Sequence, residues 1–294
     1  MSSSTNSNKG ESASTYVVHD SKKKAEVLRL TLQNTMITTA MGGVFAEQHN
    51  PDTFHDVLDV GCGTGGWILE AAQTYPEMHL VGIDISALMI ENASVQAKTQ
   101  GTENRVEFHV MDALKKLEFP DNSFDFVNLR FGTSYVRTWD WPALLLEMQR
   151  VARPGGIIRI TECEIGIQST SQALMNLYEV GMHAFYRAGH LFTEESTGVT
   201  KHLAELLTKS WCEEVQTKSY PLIFRAGTTE GQAFKEDIMY AYRGTRLFIQ
   251  NWIGVPANYD AFYEQSQRDM QHPDFSATWP HLTVWGHKPR KGQH

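Results

Sequence analysis

Within residues 57–66 an apolar run, Val57-Leu58-Asp59-Val60, passes into Gly61-Cys62-Gly63-Thr64-Gly65-Gly66, and no other stretch restricts the fold as much. Apolar residues then resume at helical spacing as Trp67, Ile68, Ala71 and Ala72. The pattern predicts a buried strand, a tight glycine turn and a helix N-terminus, a geometry that brings bare backbone against a ligand. Glycines so closely spaced destabilise any fold that does not use their conformations. The question is which ligand they serve.

Two cofactors compete. Gly61, Gly63 and Gly66 satisfy the Gly-x-Gly-x-x-Gly pattern of dinucleotide sites, and Asp84 follows at about the expected ~20 residues. Asp59 argues the other way. A carboxylate at the mouth of the loop repels a pyrophosphate, whereas it suits a ligand carrying an ammonium and a sulfonium. An acidic residue followed by Gly-x-Gly-x-Gly, here Asp59, Gly61, Gly63 and Gly65, resembles the first motif of class I S-adenosylmethionine-dependent methyltransferases.

Further motifs follow in order. Residues 79–84 read as a second buried strand ending in Asp84, with Ile85 after it. In the family this acid takes the two ribose hydroxyls and the next apolar residue packs on the adenine. A carboxylate accepts from two vicinal hydroxyls at once. Residues 105–110 alternate as a strand and deliver Asp112 and Ala113, which resemble the third motif that reads the adenine edge. Residues 124–129 look like a fourth strand opening into Arg130, also a cofactor candidate. A helix over 141–151, then Arg153-Pro154-Gly155-Gly156 and a strand over 157–161, complete the likeness. It covers roughly residues 55–164 and a closing strand near 280–287. The resemblance implies a seven-stranded, mostly parallel, doubly wound α/β sheet whose last strand is antiparallel, with an α-helical cap.

Composition narrows the class. The 294-residue chain has a formal net charge of −8, which gives no overall basic footprint for nucleic acid. Residues 1–15 are rich in Ser, Thr and Asn with no apolar core, so a disordered tail is expected rather than a secretory signal. No apolar run approaches the ~20 residues of a membrane span. Three cysteines (Cys62, Cys163, Cys212), odd in number and widely separated, suit reduced thiols in the cytoplasm. No cysteine pair has metal-ligand spacing, and no metal is expected.

The expected units are a lid over 16–50, the cofactor core over 51–165, and a cap with the last strands over 166–294. Residues 21–45 carry a broad apolar stripe, with Ser21 as N-cap and Gly42-Gly43 as the end. Such a stripe calls for cover on more than one side, including a second copy of the chain. The Glu26-x-x-Arg29-Leu30-x-x-Gln33 spacing resembles the lid helix of the small-molecule branch, which implies that Tyr16, Arg29 and Gln33 reach the methionine end of S-adenosylmethionine. In the cap, helices are expected over 175–187 and 193–209 and a strand over 213–224. An aromatic-rich insert follows, holding Phe234, Tyr242, Phe248 and Tyr263 among others. Most of these rings should pack as core, and the rest should line an apolar pocket.

Methyl transfer is an in-line displacement, so the protein chiefly supplies proximity. A hydroxyl acceptor also needs a base, and His183, His190, Glu162 and Glu164 are the candidates. The reading is a methyltransferase for a small natural-product, quinone or isoprenoid-like acceptor at carbon, oxygen or nitrogen. Its rivals are a cyclase on the same fold, which holds the cofactor without transferring from it, and an NAD-linked oxidoreductase.

Overall fold

The computed structural model describes residues 24–290, and Tyr16, Ser21 and the expected tail lie outside them. A single sheet runs in the order β3-β2-β1-β4-β5-β8-β6, with β7 also paired to β8. The strands are β1 (Asp56–Val60), β2 (His79–Asp84), β3 (Val106–Val110), β4 (Phe124–Arg130), β5 (Ala152–Cys163), β6 (Gln168–Ser169), β7 (Glu213–Arg225) and β8 (Ser276–His287). The first five pair in parallel, β8 is antiparallel to β5, and β7 is antiparallel to β8. β1 and β4 are buried almost throughout, as expected of strands covered on both faces, although Asp59, Asn128 and Arg130 interrupt their apolar residues. The sheet therefore has one member more than the seven expected. The extra strand is the two-residue β6, which pairs with the start of β8.

Helices cover both faces. On one side α2 (Gly66–Thr74) and the segment after the first helix bury Trp67, Ile68, Phe45 and Phe126. On the other, α4 (Trp141–Val151) and α6 (Leu203–Lys209) pack Leu144, Met148, Leu203 and Leu207 against the sheet. α3 (Ala87–Gln100) joins β2 to β3. The cap has its own core, built from α1 (Lys24–Met41), α5 (Gln172–Arg187), α7 (Thr229–Trp252), α8 (Tyr259–Asp269) and the outer strands.

Three expectations change. The helix expected over 193–209 is irregular chain to Val199, then a short 3-10 turn and α6, because Gly198 folds back onto the Thr193 carbonyl with no room for a side chain. β5 begins at Ala152 and includes the Arg-Pro-Gly-Gly segment, with an irregular register beside Phe124. The apolar stripe of α1 is covered at Met36, Ile37 and Met41, but Leu28 and Leu32 remain exposed. One core face absorbs only part of so wide a stripe.

Candidate active site

The carboxyl ends of β1 to β5 meet the cap around a cavity of about 360 Å³. On the sheet side its wall includes Asp59, Gly61, Gly63, Asp84, Ile85, Asp112, Ala113, Arg130 and Glu162. On the cap side it includes Arg29, Gln33, Tyr178, Phe185, Asp237, Tyr242 and Phe248, with Trp279 from β8.

The glycine loop is built by backbone bonds. Cys62 N donates to the Ile83 carbonyl at 2.8 Å, and Gly65 N donates to the Cys62 carbonyl at 2.9 Å. Gly63 has φ +55, in the left-handed region, and a β-carbon placed on it meets nothing within 4 Å. The space beside it is open to the cavity. Gly65 is different: it does not line the cavity, and its missing side chain makes room for the Phe108 ring and Ala93. Its place among the cofactor candidates is corrected accordingly, since it lets α2 approach β3 and α3. Gly66 lies at the wall, close against Asn34 of α1.

Three acids stand along this wall. Asp59 is buried and accepts from Asn128 Nδ2 at 2.8 Å, while burial pushes its carboxyl up to about 7. Asp84 accepts from Gly63 N at 3.0 Å through Oδ2 and from Ser86 N at 2.8 Å through Oδ1, so it braces the glycine loop. Each carboxylate oxygen has a second lone pair, which leaves capacity for a ligand hydroxyl. Asp112 accepts from Leu114 N at 3.0 Å and faces Lys115 at 3.3 Å. Ile85, beside Asp84, is 53 % exposed although apolar, and Ala113 is buried. Acids at the ends of successive strands, an open glycine and an apolar shelf fit a nucleoside bearing a cationic tail.

Ionic contacts tie the cap helices α1 and α7 together beside this wall, and Arg130 hydrogen-bonds across to α1. Arg29 is paired with Glu26 at 2.8 Å and with Asp237 of α7 at 2.6 Å. Gln33 Nε2 donates to the other Asp237 oxygen at 2.9 Å. Both residues line the cavity, as the lid reading requires, but both are engaged by Asp237. Arg130 Nη1 donates to Asn34 Oδ1 at 3.1 Å and Thr38 Oγ1 at 2.9 Å, while its Nε and Nη2 are buried without a partner. Burial and the neighbouring Arg159 lower its guanidinium to about 10. Phe131, which follows it, adopts a left-handed φ of +58, strained for a side chain of that size.

The base candidates separate. Glu162 lines the cavity and is fully buried; Oε1 accepts from Thr133 N at 3.2 Å and Oε2 has no partner. Burial pushes its carboxyl up to about 8. Glu164 also lines the cavity and is raised by partial burial. The two histidines stand elsewhere. His183 is half-exposed and held by Glu194 at 2.5 Å, away from the cavity wall. His190 is buried behind Phe185 and Phe248, with Nδ1 against the Val136 carbonyl, and burial lowers it to about 4. Both are corrected to structural positions, because neither reaches the cavity.

Sequence reasoning missed Asp237, Asn128, Arg159 and Trp279. The first three share a signal: a polar residue inside an apolar stripe or run, where burial without a partner is costly. Asp237 sits beside Phe234, Ile238 and Met239, Asn128 within Phe-Val-Asn-Leu, and Arg159 within Ile-Ile-Arg-Ile. Of the aromatic insert, Tyr242 and Phe248 line the cavity, whereas Phe234 and Tyr259 pack in the cap core. Among the described residues no helix is long and apolar enough to cross a membrane, and no cluster of ligating side chains could hold a metal.

Residues 57–156 match the family described as Methyltransferase domain. The demethylmenaquinone methyltransferase of Geobacillus stearothermophilus is 38% identical over 122 residues, which cover 41% of this chain and 49% of that protein. The enzyme of the same name from Listeria welshimeri is 36% identical over 133 residues, covering 45% and 52%. The chain thus spans about half the length of the curated relatives it matches. Among solved structures, the YcgJ protein from Bacillus subtilis superposes with a TM-score of 0.52 at 20% identity, covering 81% of this chain and 93% of that one. The 4+2 cyclase SpnF also superposes with a TM-score of 0.52 at 20% identity, covering 92% and 97%. The two solved structures share the fold described above.

Proposed function

We propose that this chain, whose residues 57–156 match a methyltransferase domain, is a class I S-adenosylmethionine-dependent enzyme that methylates an apolar, ring-bearing small molecule with an ionisable hydroxyl, of the quinol type. The observation that carries the proposal is the buried carboxylate of Glu162, its Oε2 without a partner, in a cavity whose cap side is lined by the rings of Tyr178, Phe185, Tyr242 and Phe248. The shared name of the demethylmenaquinone relatives supports the acceptor class.

When bound, S-adenosylmethionine would supply an electrophilic methyl for in-line displacement, with its demethylated thioether as the leaving group. The chain's own residues divide the remaining work. Asp84 offers its free lone pairs to the ribose hydroxyls, Ile85 and Ala113 bound the adenine, and Asp112 accepts from its amino group. Asp59 faces the cationic tail, and the two unpartnered nitrogens of Arg130 suit its carboxylate. Gly61 and Gly63 keep side chains out of the approach. Arg29 and Gln33, held by Asp237, close the cap side and exclude water. Tyr178, Phe185, Tyr242, Phe248 and Trp279 enclose the acceptor ring. Glu162 takes the proton of its hydroxyl at Oε2, making the adjacent ring atoms more nucleophilic. With its carboxyl near 8, Glu162 is protonated in much of the population at neutral pH, so turnover rises with pH through about 8.

The test uses methyl-labelled S-adenosylmethionine with a panel of demethylated quinols. The expected result is label in the quinol, and a Glu162→Gln variant that binds S-adenosylhomocysteine normally yet turns over about a hundred-fold more slowly. Cofactor binding with no label transfer to any acceptor favours the cyclase reading. Unimpaired turnover in Glu162→Gln removes Glu162 as the base.

A further inference from the structure

We infer that Glu47, Arg159 and Asn128 form a buried relay that positions Asp59 and keeps it a carboxylate toward a cationic ligand. The relay starts behind the sheet. Glu47, in the segment that follows α1, pairs with Arg159 of β5 at 2.9 Å, and a second Arg159 nitrogen meets the other carboxylate oxygen at 3.0 Å. Arg159 Nη1 donates to Asn128 Oδ1 of β4 at 3.2 Å. Asn128 Nδ2 donates in turn to Asp59 Oδ1 of β1 at 2.8 Å. All four side chains are buried, and the Arg159 guanidinium lies 5.8 Å over the Trp67 ring.

Chemistry fixes the direction of this chain. A guanidinium can only donate, so it holds the Asn128 carbonyl toward itself and leaves the amide NH2 for Asp59. Glu47 neutralises Arg159, which would otherwise be a bare charge inside the sheet. Apolar residues at 47, 128 and 159 would fill the same volume without that desolvation cost. The polar chain also ends on an acid in the cavity wall rather than on solvent.

The other groups around Asp59 do not make the relay redundant. Burial favours the protonated acid, and Asp84 of β2 adds to that; Asn128 and Arg130 of β4 and Arg159 of β5 oppose it. The Cys62 thiol in the glycine loop and the Tyr135 phenol beyond β4 are both pushed well above their ordinary values, so they stay neutral. Two of the three groups that counter burial therefore belong to the relay.

The inference rests on Asp59 facing the cofactor's cationic tail, as proposed above. S-Adenosylhomocysteine, which keeps the ammonium, is titrated calorimetrically into the full chain between about pH 6 and 9. Asn128→Ala and the double variant Glu47→Met/Arg159→Met are compared with the parent at each pH. The double variant removes both charges together and leaves no orphan charge, only the Asn128 carbonyl without its donor. Each variant is expected to bind about ten-fold more weakly near pH 7 and to approach the parent as the pH rises by about two units. A purely structural role gives a deficit that does not change with pH, and that result overturns the relay, as does parental binding throughout. Where circular dichroism shows the double variant unfolded, Asn128→Ala carries the comparison. A parent chain that binds no S-adenosylhomocysteine at any pH overturns the functional reading and the relay with it.

Discussion

The two walls of the cavity are made in different ways. The sheet-side wall is local: the glycine loop follows β1 directly, Asp84 and Ile85 close β2, and Asp112 and Ala113 follow β3 by two and three residues. Much of its shape is backbone conformation and strand-end acids. The cap-side wall is made by side chains distant in sequence. Arg29 and Asp237 are 208 residues apart, Gln33 and Asp237 204, and Asn34 and Arg130 96. A wall of the first kind tolerates little change at its glycines, because there the backbone itself forms the surface and no side chain can repack. A wall of the second kind is closed by pairings that can be removed one at a time.

The sharpest way to break the comparison is at Gly63. Its φ of +55 lies where a β-branched residue is strongly disfavoured, and the space beside it opens to the cavity. Gly63→Val is expected to weaken S-adenosylhomocysteine binding at least about a hundred-fold, or ~2.7 kcal/mol, while circular dichroism shows a retained fold. Binding at the parental level would mean that the loop serves packing alone, and the sheet-side wall would lose its distinction.

A smaller effect is expected across the cavity. Asp237→Ala leaves Arg29 with Glu26 as partner but deprives both Arg29 and Gln33 of their hold on α7. Loss of a buried charged hydrogen-bond partner costs about 1–3 kcal/mol, which lowers the melting temperature by several degrees and loosens closure enough to slow turnover. S-Adenosylhomocysteine affinity should fall much less than in Gly63→Val. A variant that melts with the parent and turns over normally would show that α1 is held by its apolar contacts, Met36 and Ile37, without the ionic latch.

The same division explains what the residue pattern disclosed. The order of strands, the glycine turn and the strand-end acids were legible because each is encoded within a few neighbouring residues, where periodicity and backbone chemistry operate. Gly65 was misassigned because spacing alone does not distinguish a glycine that admits a ligand from one that admits the Phe108 ring. The helix expected over 193–209 failed because the closeness of Gly198 to the Thr193 carbonyl is a matter of chain path rather than propensity. Asp237 stayed hidden because its meaning depends on Arg29 and Gln33, which only the fold brings near. Asn128 and Arg159 were visible as polar breaks in buried strands, but their connection runs through three strands and the segment after α1.

The smallest expected effect concerns His183, which a residue-type argument favours as a base and the geometry does not. The side chain is half-exposed, lies outside the cavity wall and sits between Glu179 and Glu194. Exposed ion pairs of this kind contribute about 0–1 kcal/mol, so His183→Ala should leave the melting temperature nearly unchanged. Turnover should stay within about two-fold of the parent, because loss of a general base costs about a hundred-fold or more. Steady-state kinetics with labelled cofactor separates the two outcomes by a wide margin. A hundred-fold loss in His183→Ala would require α5 to turn so that His183 exchanges places with Phe185 at the cavity wall. The cap-side wall would then be a moving part rather than a latched one. An unchanged rate leaves the carboxylates at the cavity wall, Glu162 and Glu164, as the candidate proton acceptors, with the aromatic cap only enclosing the acceptor ring.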